Sequence, residues 1–511
     1  MKRRDFLKQV AIIGGGATAF SLGGLPMKSF AKPFLNIKTF DGKILVILQL
    51  KGGNDGLNTI IPFEDDLYYT KRPSLAVSKS EVIKLNNLLG FNPNLQPLKQ
   101  LFDEGKMSVI QNVGYDNQDR SHFRSTDVWL SASDVDKFYF DGWLGRTLES
   151  AYPDYPATIP QHPMAVELGS AQSLLLESQY GGMGISFDDP WQYNELAKGL
   201  NINEEPIPDT LAGEELKFLK QVASQSKQYA DVVKEFADNG WHDVTYPETW
   251  IGWQLRVIAD LISGGMETPV YVASHWGFDT HAKQADTHPQ LLKEFADAVL
   301  AFQRDIENQG LADKIVLMTI SEFGRRVAEN GGRGTDHGAA APLFVFGNSV
   351  EGGIYGSQVN LSQLDPWGDL PHEFDFRQIY ATVMKNHLGL GNTETSNILK
   401  RNFETIPFLK STTGVDKSVP NNFSLSQNYP NPFNPTTKIK FSIAKGSKVT
   451  ITIYDMLGRK IKDIVNGYHK PGNYTIDFNA TANGSKLASG VYVYRIKAGG
   501  FTASKKMTLL K

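Results

Sequence analysis

A chain of 511 residues with 41% apolar content can bury large cores and divide into two or three domains, which excludes the disordered class. A formal net charge of −3, with lysine and arginine spread along the chain, gives no basic stripe and excludes nucleic acid as the expected partner. With no cysteine there is no disulfide framework and no thiolate metal site, so the compartment must be read from the two ends of the chain.

The first 31 residues run from the charged Lys2-Arg3-Arg4-Asp5-Phe6-Leu7-Lys8, through a glycine-rich apolar stretch from Val10 to Leu25, to Phe30-Ala31. A charged start, a mildly apolar middle and a small residue at the end resemble a twin-arginine export signal. The glycines, and a stretch shorter than the roughly 20 strongly apolar residues of a membrane span, argue against an anchor. A twin-arginine address implies the corresponding export machinery, passage through the periplasm and cargo that folds, with any metal, before export.

Residues 32–410 follow, and their short apolar runs carry the functional signal. Ile44 to Leu50 precedes Gly52-Gly53-Asn54-Asp55-Gly56, and Met107 to Val113 precedes Asp119-Arg120-Ser121-His122. Pro269 to Ala273 precedes Asp279-Thr280-His281, and Lys314 to Ile320 precedes Ser321-Glu322. A fifth cluster, Gly334-Thr335-Asp336-His337-Gly338, instead stands before the run Pro342 to Phe346. Such runs read as buried parallel strands, and ligands of open α/β sheets gather beyond the carboxyl ends of those strands. Helical spacing over 210–239 (Leu211, Leu216, Leu219, Val222, Tyr229) and from Leu291 to Ile306 (Leu291, Leu292, Phe295, Val299, Phe302) adds helices to cover the sheet. The expected fold is α/β, a mostly parallel sheet covered by helices.

Each cluster also has a plainer reading. Residues 52–56 suit a turn, Ser121-His122 a helix cap, and Asp279-Thr280-His281 a cap before a helix near Ala282. Glu322 suits an ion pair with Arg325 or Arg326, and Asp336-His337 a structural pair. Joint placement at one sheet edge argues for a site. Asp, Glu and His together suit a divalent ion (Zn, Mn, Mg or Ca), and a metal beside a serine hydroxyl suits hydrolysis of phosphoric or sulfuric esters. Trp143, Trp191, Tyr193 and Trp276 suit core packing or stacking on a sugar or aryl ring of a small ester or glycan-linked substrate.

After a low-apolarity linker at 411–421, the pattern changes from 422 to 511. Thr437 to Ile443, Val449 to Tyr454 and Val491 to Ile496 alternate and are rich in β-branched residues, with turns at Leu457-Gly458-Arg459, Pro471-Gly472-Asn473 and Ser489-Gly490. A small antiparallel β-sandwich is expected. The strings Tyr429-Pro430-Asn431-Pro432-Phe433-Asn434-Pro435-Thr436-Thr437 and Leu487-Ala488-Ser489-Gly490-Val491-Tyr492-Val493-Tyr494 closely resemble the type IX secretion sorting domain. That resemblance implies the type IX machinery as partner and a secreted or cell-surface protein. No segment of the mature chain reads as a transmembrane span.

The middle motifs, Leu50-Lys51-Gly52-Gly53-Asn54-Asp55-Gly56, Arg120-Ser121-His122-Phe123, Gly277-Phe278-Asp279-Thr280-His281, Ser321-Glu322-Phe323-Gly324-Arg325 and Gly334-Thr335-Asp336-His337-Gly338, resemble in fixed order the exported bacterial domain of unknown function 1501. That family is grouped with the alkaline phosphatase and sulfatase superfamily. The resemblance implies an alkaline-phosphatase-like sheet. It further implies Ser121 as hydroxyl nucleophile and Asp55, Asp279, His281, Glu322, Asp336 and His337 as metal ligands; His122, next to the serine, is the alternative actor, as general acid for the leaving group. Phe323 stands where a second metal histidine is expected, so a two-metal centre requires Asp336 or His288 as substitute. A non-catalytic exported binding protein of the same fold is the alternative.

Overall fold

The computed structural model describes residues 40–155, 158–199, 226–410, 423–428, 430–456, 458–469, 472–481 and 487–510. The signal-like residues 1–31, the linker 411–421 and the first half of the 210–239 pattern lie outside these, whereas 226–239 is helical. The chain divides into two compact units, Met1–Ser411 and Thr412–Lys511.

In the first unit, nine strands form one sheet: β1 Ile44–Lys51, β2 Met107–Gly114, β3 Ala165–Leu168, β4 Ile185–Phe187, β5 Val270–Trp276, β6 Ile315–Ile320, β7 Ala341–Phe346, β8 Gly353–Tyr355 and β9 Phe374–Asp375. Their order is β8-β2-β7-β6-β1-β5-β3-β4, with β9 also beside β2. All neighbours are parallel except β7, which runs antiparallel to both β6 and β2. The run from Pro342 to Phe346 is therefore a strand, as expected, but a reversed one. Because β7 alone is reversed, β2 points the same way as β1, β5 and β6. The carboxyl ends of those four strands and the amino end of β7 thus share one edge, where the sequence clusters lie.

The apolar runs are continuous rather than alternating because the sheet is buried on both faces. Along β1, Ile44, Val46, Leu48 and Leu50 enter one core and Leu45 and Ile47 the other. The first core receives the helices Trp250–Ser263 and Gln284–Asn308, the second His122–Ser131, Trp143–Ala151 and Phe376–Asn386. Trp143, with no exposed surface, stacks on Tyr380 in the second core at 4.3 Å between ring centres, and Tyr193 lies in the first, so both serve packing. No helix among the described residues is long and apolar enough to cross a membrane.

The second unit holds a three-stranded sheet (Ser424–Leu425, Thr436–Ile443, Gly472–Asn479) and a four-stranded one (Lys460–His469, Ser447–Tyr454, Gly490–Ala498, Phe501–Leu509), all antiparallel. Strict alternation over Thr436–Ile443 sends Thr437, Ile439, Phe441 and Ile443 inward, to a core shared with Ile451, Tyr494, Ile496 and Met507.

Candidate functional site

The loop after β1 meets the loop after β5 so closely that only glycine fits between them. Gly52 has φ +119°, and a Cβ there would lie 2.3 Å from the Asp279 backbone nitrogen; at Gly53 it would lie 2.4 Å from the Phe323 ring. Arg325, 2% exposed, ties the loops together. Its Nε donates to Gly53 O at 2.8 Å and its Nη1 to Thr335 O at 2.7 Å, while Nη2 reaches Gly52 O, Phe278 O at 3.0 Å and Asp279 Oδ1 at 2.7 Å. A left-handed φ and a backbone clash together cost roughly 1–3 kcal/mol, so Gly52→Ala is expected to lower the calorimetric unfolding midpoint. An unchanged midpoint would show that the loops have another way to pack.

Three histidines converge on one carboxylate oxygen at this edge. Asp279 Oδ1 lies 3.2 Å from His281 Nε2, 3.4 Å from His337 Nε2 and 3.5 Å from His122 Nε2, and the His281 and His337 Nε2 atoms are 2.8 Å apart. The ligand atoms offered by His122, Asp279 and His337 all lie within 4.8 Å of one another. Each ring turns its other nitrogen to an oxygen. His337 Nδ1 meets Arg120 O at 2.6 Å, His122 Nδ1 meets Glu322 Oε1 at 2.8 Å, and His281 Nδ1 meets Asp336 Oδ1 at 3.1 Å. A carbonyl or carboxylate there assigns the proton to Nδ1 and leaves the Nε2 lone pair facing inward. The ligand atoms of His122, Asp279 and His337 therefore face one another, with His281 Nε2 beside those of Asp279 and His337. Phe323 packs beside them, its ring stacked on His337 at 4.5 Å and tilted to His122 at 4.9 Å.

The hydrogen bond from Glu322 raises the His122 pKa, while burial lowers that of His337. Burial would raise Asp279, but the Arg325 hydrogen bond and charge hold it below the ordinary carboxylate value; the Asn330 hydrogen bond does the same for Asp336.

The structure thus gathers six of the predicted residues, with Asp279, His122, His281 and His337 innermost and Glu322 and Asp336 against the rings' outer nitrogens. Glu322 faces His122 rather than Arg325, and its Oε1 also accepts from Gly52 N at 2.9 Å. Asp55 lies apart. Fully buried, it receives Arg72 Nη1 at 2.5 Å on Oδ2, a contact that leaves this oxygen no access to a divalent ion. His288 is also buried, bonded through Nε2 to Asn54 Oδ1 at 2.9 Å and pushed down to about 4 by burial. It does not substitute at the cluster. Ser121 occupies the N-cap of the His122–Ser131 helix without capping it: its N–H donates to Asp119 Oδ1 at 2.7 Å, and among the described residues its exposed hydroxyl has no hydrogen-bond partner. Trp276 is 62% exposed, with Lys51 Nζ 4.2 Å from its ring centre. Sequence reading missed Arg72 and Gln284 as polar partners and gave Arg325 to Glu322 rather than to Asp279, since a lone arginine or glutamine carries no local signal of burial.

Residues 265–404 match the family described as protein of unknown function (DUF1501), a span containing Asp279, His281, Glu322, Asp336 and His337 but not His122. Residues 427–509 match the secretion system C-terminal sorting domain. No curated protein matches the chain. Among solved structures, dimeric latent PorU from Porphyromonas gingivalis is similar at 22% identity over 17% of this chain and 9% of that one, with a TM-score of 0.15. An alkaline phosphatase superfamily protein from Vibrio parahaemolyticus is similar at 10% identity over 91% and 92% of the two chains, with a TM-score of 0.32. The PsFucS1 sulfatase from Pseudoalteromonas sp. is similar at 11% identity over 87% and 85%, with a TM-score of 0.33. Residues 265–404 are thus similar to the DUF1501 family of unknown function, and residues 427–509 to the secretion system C-terminal sorting domain.

Proposed function

We propose that this chain is an exported, divalent-metal-dependent hydrolase of phosphate or sulfate esters, with His122, Asp279, His281 and His337 as the metal's protein ligands. The convergence of three Nε2 lone pairs on Asp279 Oδ1 carries this reading. Lone-pair atoms this close repel one another unless a proton or a metal ion lies between them. Bond lengths of about 2.0–2.1 Å place neighbouring tetrahedral donors about 3.3 Å apart, near the 3.2–3.5 Å from Asp279 Oδ1 to each Nε2. Three imidazoles and one carboxylate favour zinc over manganese, magnesium or calcium, which prefer oxygen.

When bound, such an ion lowers the pKa of a water or hydroxyl and neutralises charge on an anionic ester. The chain's own residues prepare that chemistry. Glu322, Asp336 and the Arg120 carbonyl fix the three tautomers, and Arg325 holds Asp279 in place. The Arg325 donors are all directed at loop carbonyls and Asp279, so its role is to fix the loops. His122, the candidate general acid of the sequence reading, turns its Nε2 to the centre and joins the ligand set in this reading. The sorting tail supports delivery to the surface or the medium, and the signal-like residues 1–31 complete the proposed route through the periplasm.

One observation favours the alternative, a non-catalytic exported binding protein: the Ser121 hydroxyl has no hydrogen-bonded base, and such a serine is a poor nucleophile. Metal analysis by plasma mass spectrometry, together with a panel of nitrophenyl phosphates, phosphodiesters and sulfates, separates the two. We expect at least one equivalent of divalent ion and chelator-sensitive turnover. Ser121→Ala should then abolish turnover with metal retained if the serine attacks; full activity would assign attack to a water. A metal-loaded protein inert on the whole panel would replace the hydrolase with the binder.

A further inference from the structure

We infer that Gln284 is a positioning residue that locks the two loops bearing Asp279, His281 and His337 to each other and to the buried Asp55–Arg72 pair. Its consequence for metal binding rests on the proposed metal centre. Gln284 is the first residue of the Gln284–Asn308 helix and has no exposed surface. Its Oε1 accepts from Thr280 Oγ1 at 3.0 Å and from Thr335 Oγ1 at 2.6 Å, and its Nε2 donates to Asp55 Oδ2. Thr280 stands between Asp279 and His281, and Thr335 directly precedes Asp336-His337. One side chain thus reaches both ligand loops and the β1 loop.

The chemistry admits few alternatives. Two hydroxyls donate and so need an acceptor with two lone pairs, while the ionised Asp55 needs a donor beside it. A glutamine amide supplies both from one fork. All four groups are buried, with Thr280 3% exposed and Thr335, Gln284 and Asp55 fully enclosed. A buried polar group deprived of its partner is expensive, so the fork holds one geometry. Backbone bonds reinforce it: Thr335 N to Thr280 O at 3.1 Å and Gln284 N to Arg333 O at 3.0 Å. Asp55 serves here as the anchor of the fork, and Arg72 keeps it ionised.

Gln284→Leu removes the fork. Gln284→Glu keeps the acceptor but sets a carboxylate against Asp55. The double variant Thr280→Val/Thr335→Val removes the two hydroxyl donors and leaves Gln284 Nε2 on Asp55. Two measurements on the full chain provide the test. In metal-free protein, amide hydrogen exchange over 279–282 and 333–337 should rise in Gln284→Leu and Gln284→Glu, while the β1 and β6 amides keep wild-type protection. Co²⁺ titration followed by visible absorption should show affinity about 10–100-fold weaker in both, the range for losing an outer-shell partner. The double variant should reproduce both losses. Unchanged exchange and affinity in the single variants would overturn the inference, as would a double variant that keeps both wild-type readouts. If Gln284→Leu fails to fold, Gln284→Glu and the double variant still separate a lock from its absence by the same two readouts. A wild type that takes up no cobalt would end the metal reading alone, because exchange in metal-free protein still tests the lock.

Discussion

Replacing Asp279 with alanine is expected to strip the divalent ion from the protein and to reduce ester turnover by well over about 10²-fold, since losing even an outer-shell partner costs about 10–100-fold. Asp279 Oδ1 is the atom shared by all three imidazoles and by Arg325. Its removal also takes from the buried Arg325 its carboxylate partner, leaving Nη2 on Gly52 O and Phe278 O. Glu322→Gln provides the graded comparison: the His122 ring keeps a hydrogen-bond acceptor but loses the charge that raises its pKa, so the loss should fall within about 10–100-fold. Plasma mass spectrometry of the purified variants checks both. Wild-type metal content in Asp279→Ala would remove the centre as drawn.

The second large effect concerns stability, at Arg72. Burial would raise the Asp55 pKa, but the Arg72 guanidinium and its hydrogen bond hold it below the ordinary carboxylate value. In the wild type this pair contributes stability above the unfolded-state pKa of about 3.9, and loses it as pH falls through the lower folded value. Arg72→Met leaves a buried carboxylate with no cation, at a cost of about 3–5 kcal/mol near neutral pH. With Arg72 gone, the Gln284 hydrogen bond is left against burial, the largest influence, and the folded pKa should rise above the unfolded one. The variant's deficit should therefore be largest near pH 7 and shrink as pH falls, the reverse of the wild-type dependence. Calorimetric midpoints from pH 5 to 8 test this, and Asp55→Asn/Arg72→Met should recover much of the loss by removing the stranded charge. A pH-independent deficit would show that Arg72 acts through packing, since it also donates to Val327 O at 2.8 Å and Arg326 O at 2.8 Å.

What was legible in the sequence follows from local physics. Runs such as Ile44 to Leu50 and Lys314 to Ile320 are too short for buried helices and too apolar for a one-faced sheet, so strands buried on both faces were readable from composition alone. The alternation over Thr436–Ile443 marked the tail as a sandwich because its two faces differ. The clusters at 119–122, 279–281, 321–322 and 334–338 were readable as one site because strands that share a direction bring their following loops to one edge. The reversal of β7 was not readable: an apolar run has no direction, and only pairing with β6 and β2 fixes it.

Residue type alone settled that Asp, Glu and His gather at that edge, but not which oxygen or nitrogen faces inward. A carboxylate that ligates an ion and one that holds a ring nitrogen look the same in sequence. Glu322 and Asp336 face ring nitrogens because Asp279 alone reaches the point where the three Nε2 atoms meet. Asp55 pairs with Arg72 and Gln284 because the tertiary packing buries all three, and a buried carboxylate takes the cation brought to it. The sequence by itself therefore determined the sheet and the tail, since each rests on patterns a few residues long, but included Asp55 in a cluster from which packing removes it. The tertiary structure alone decided the roles within the cluster, which depend on distances between groups hundreds of residues apart.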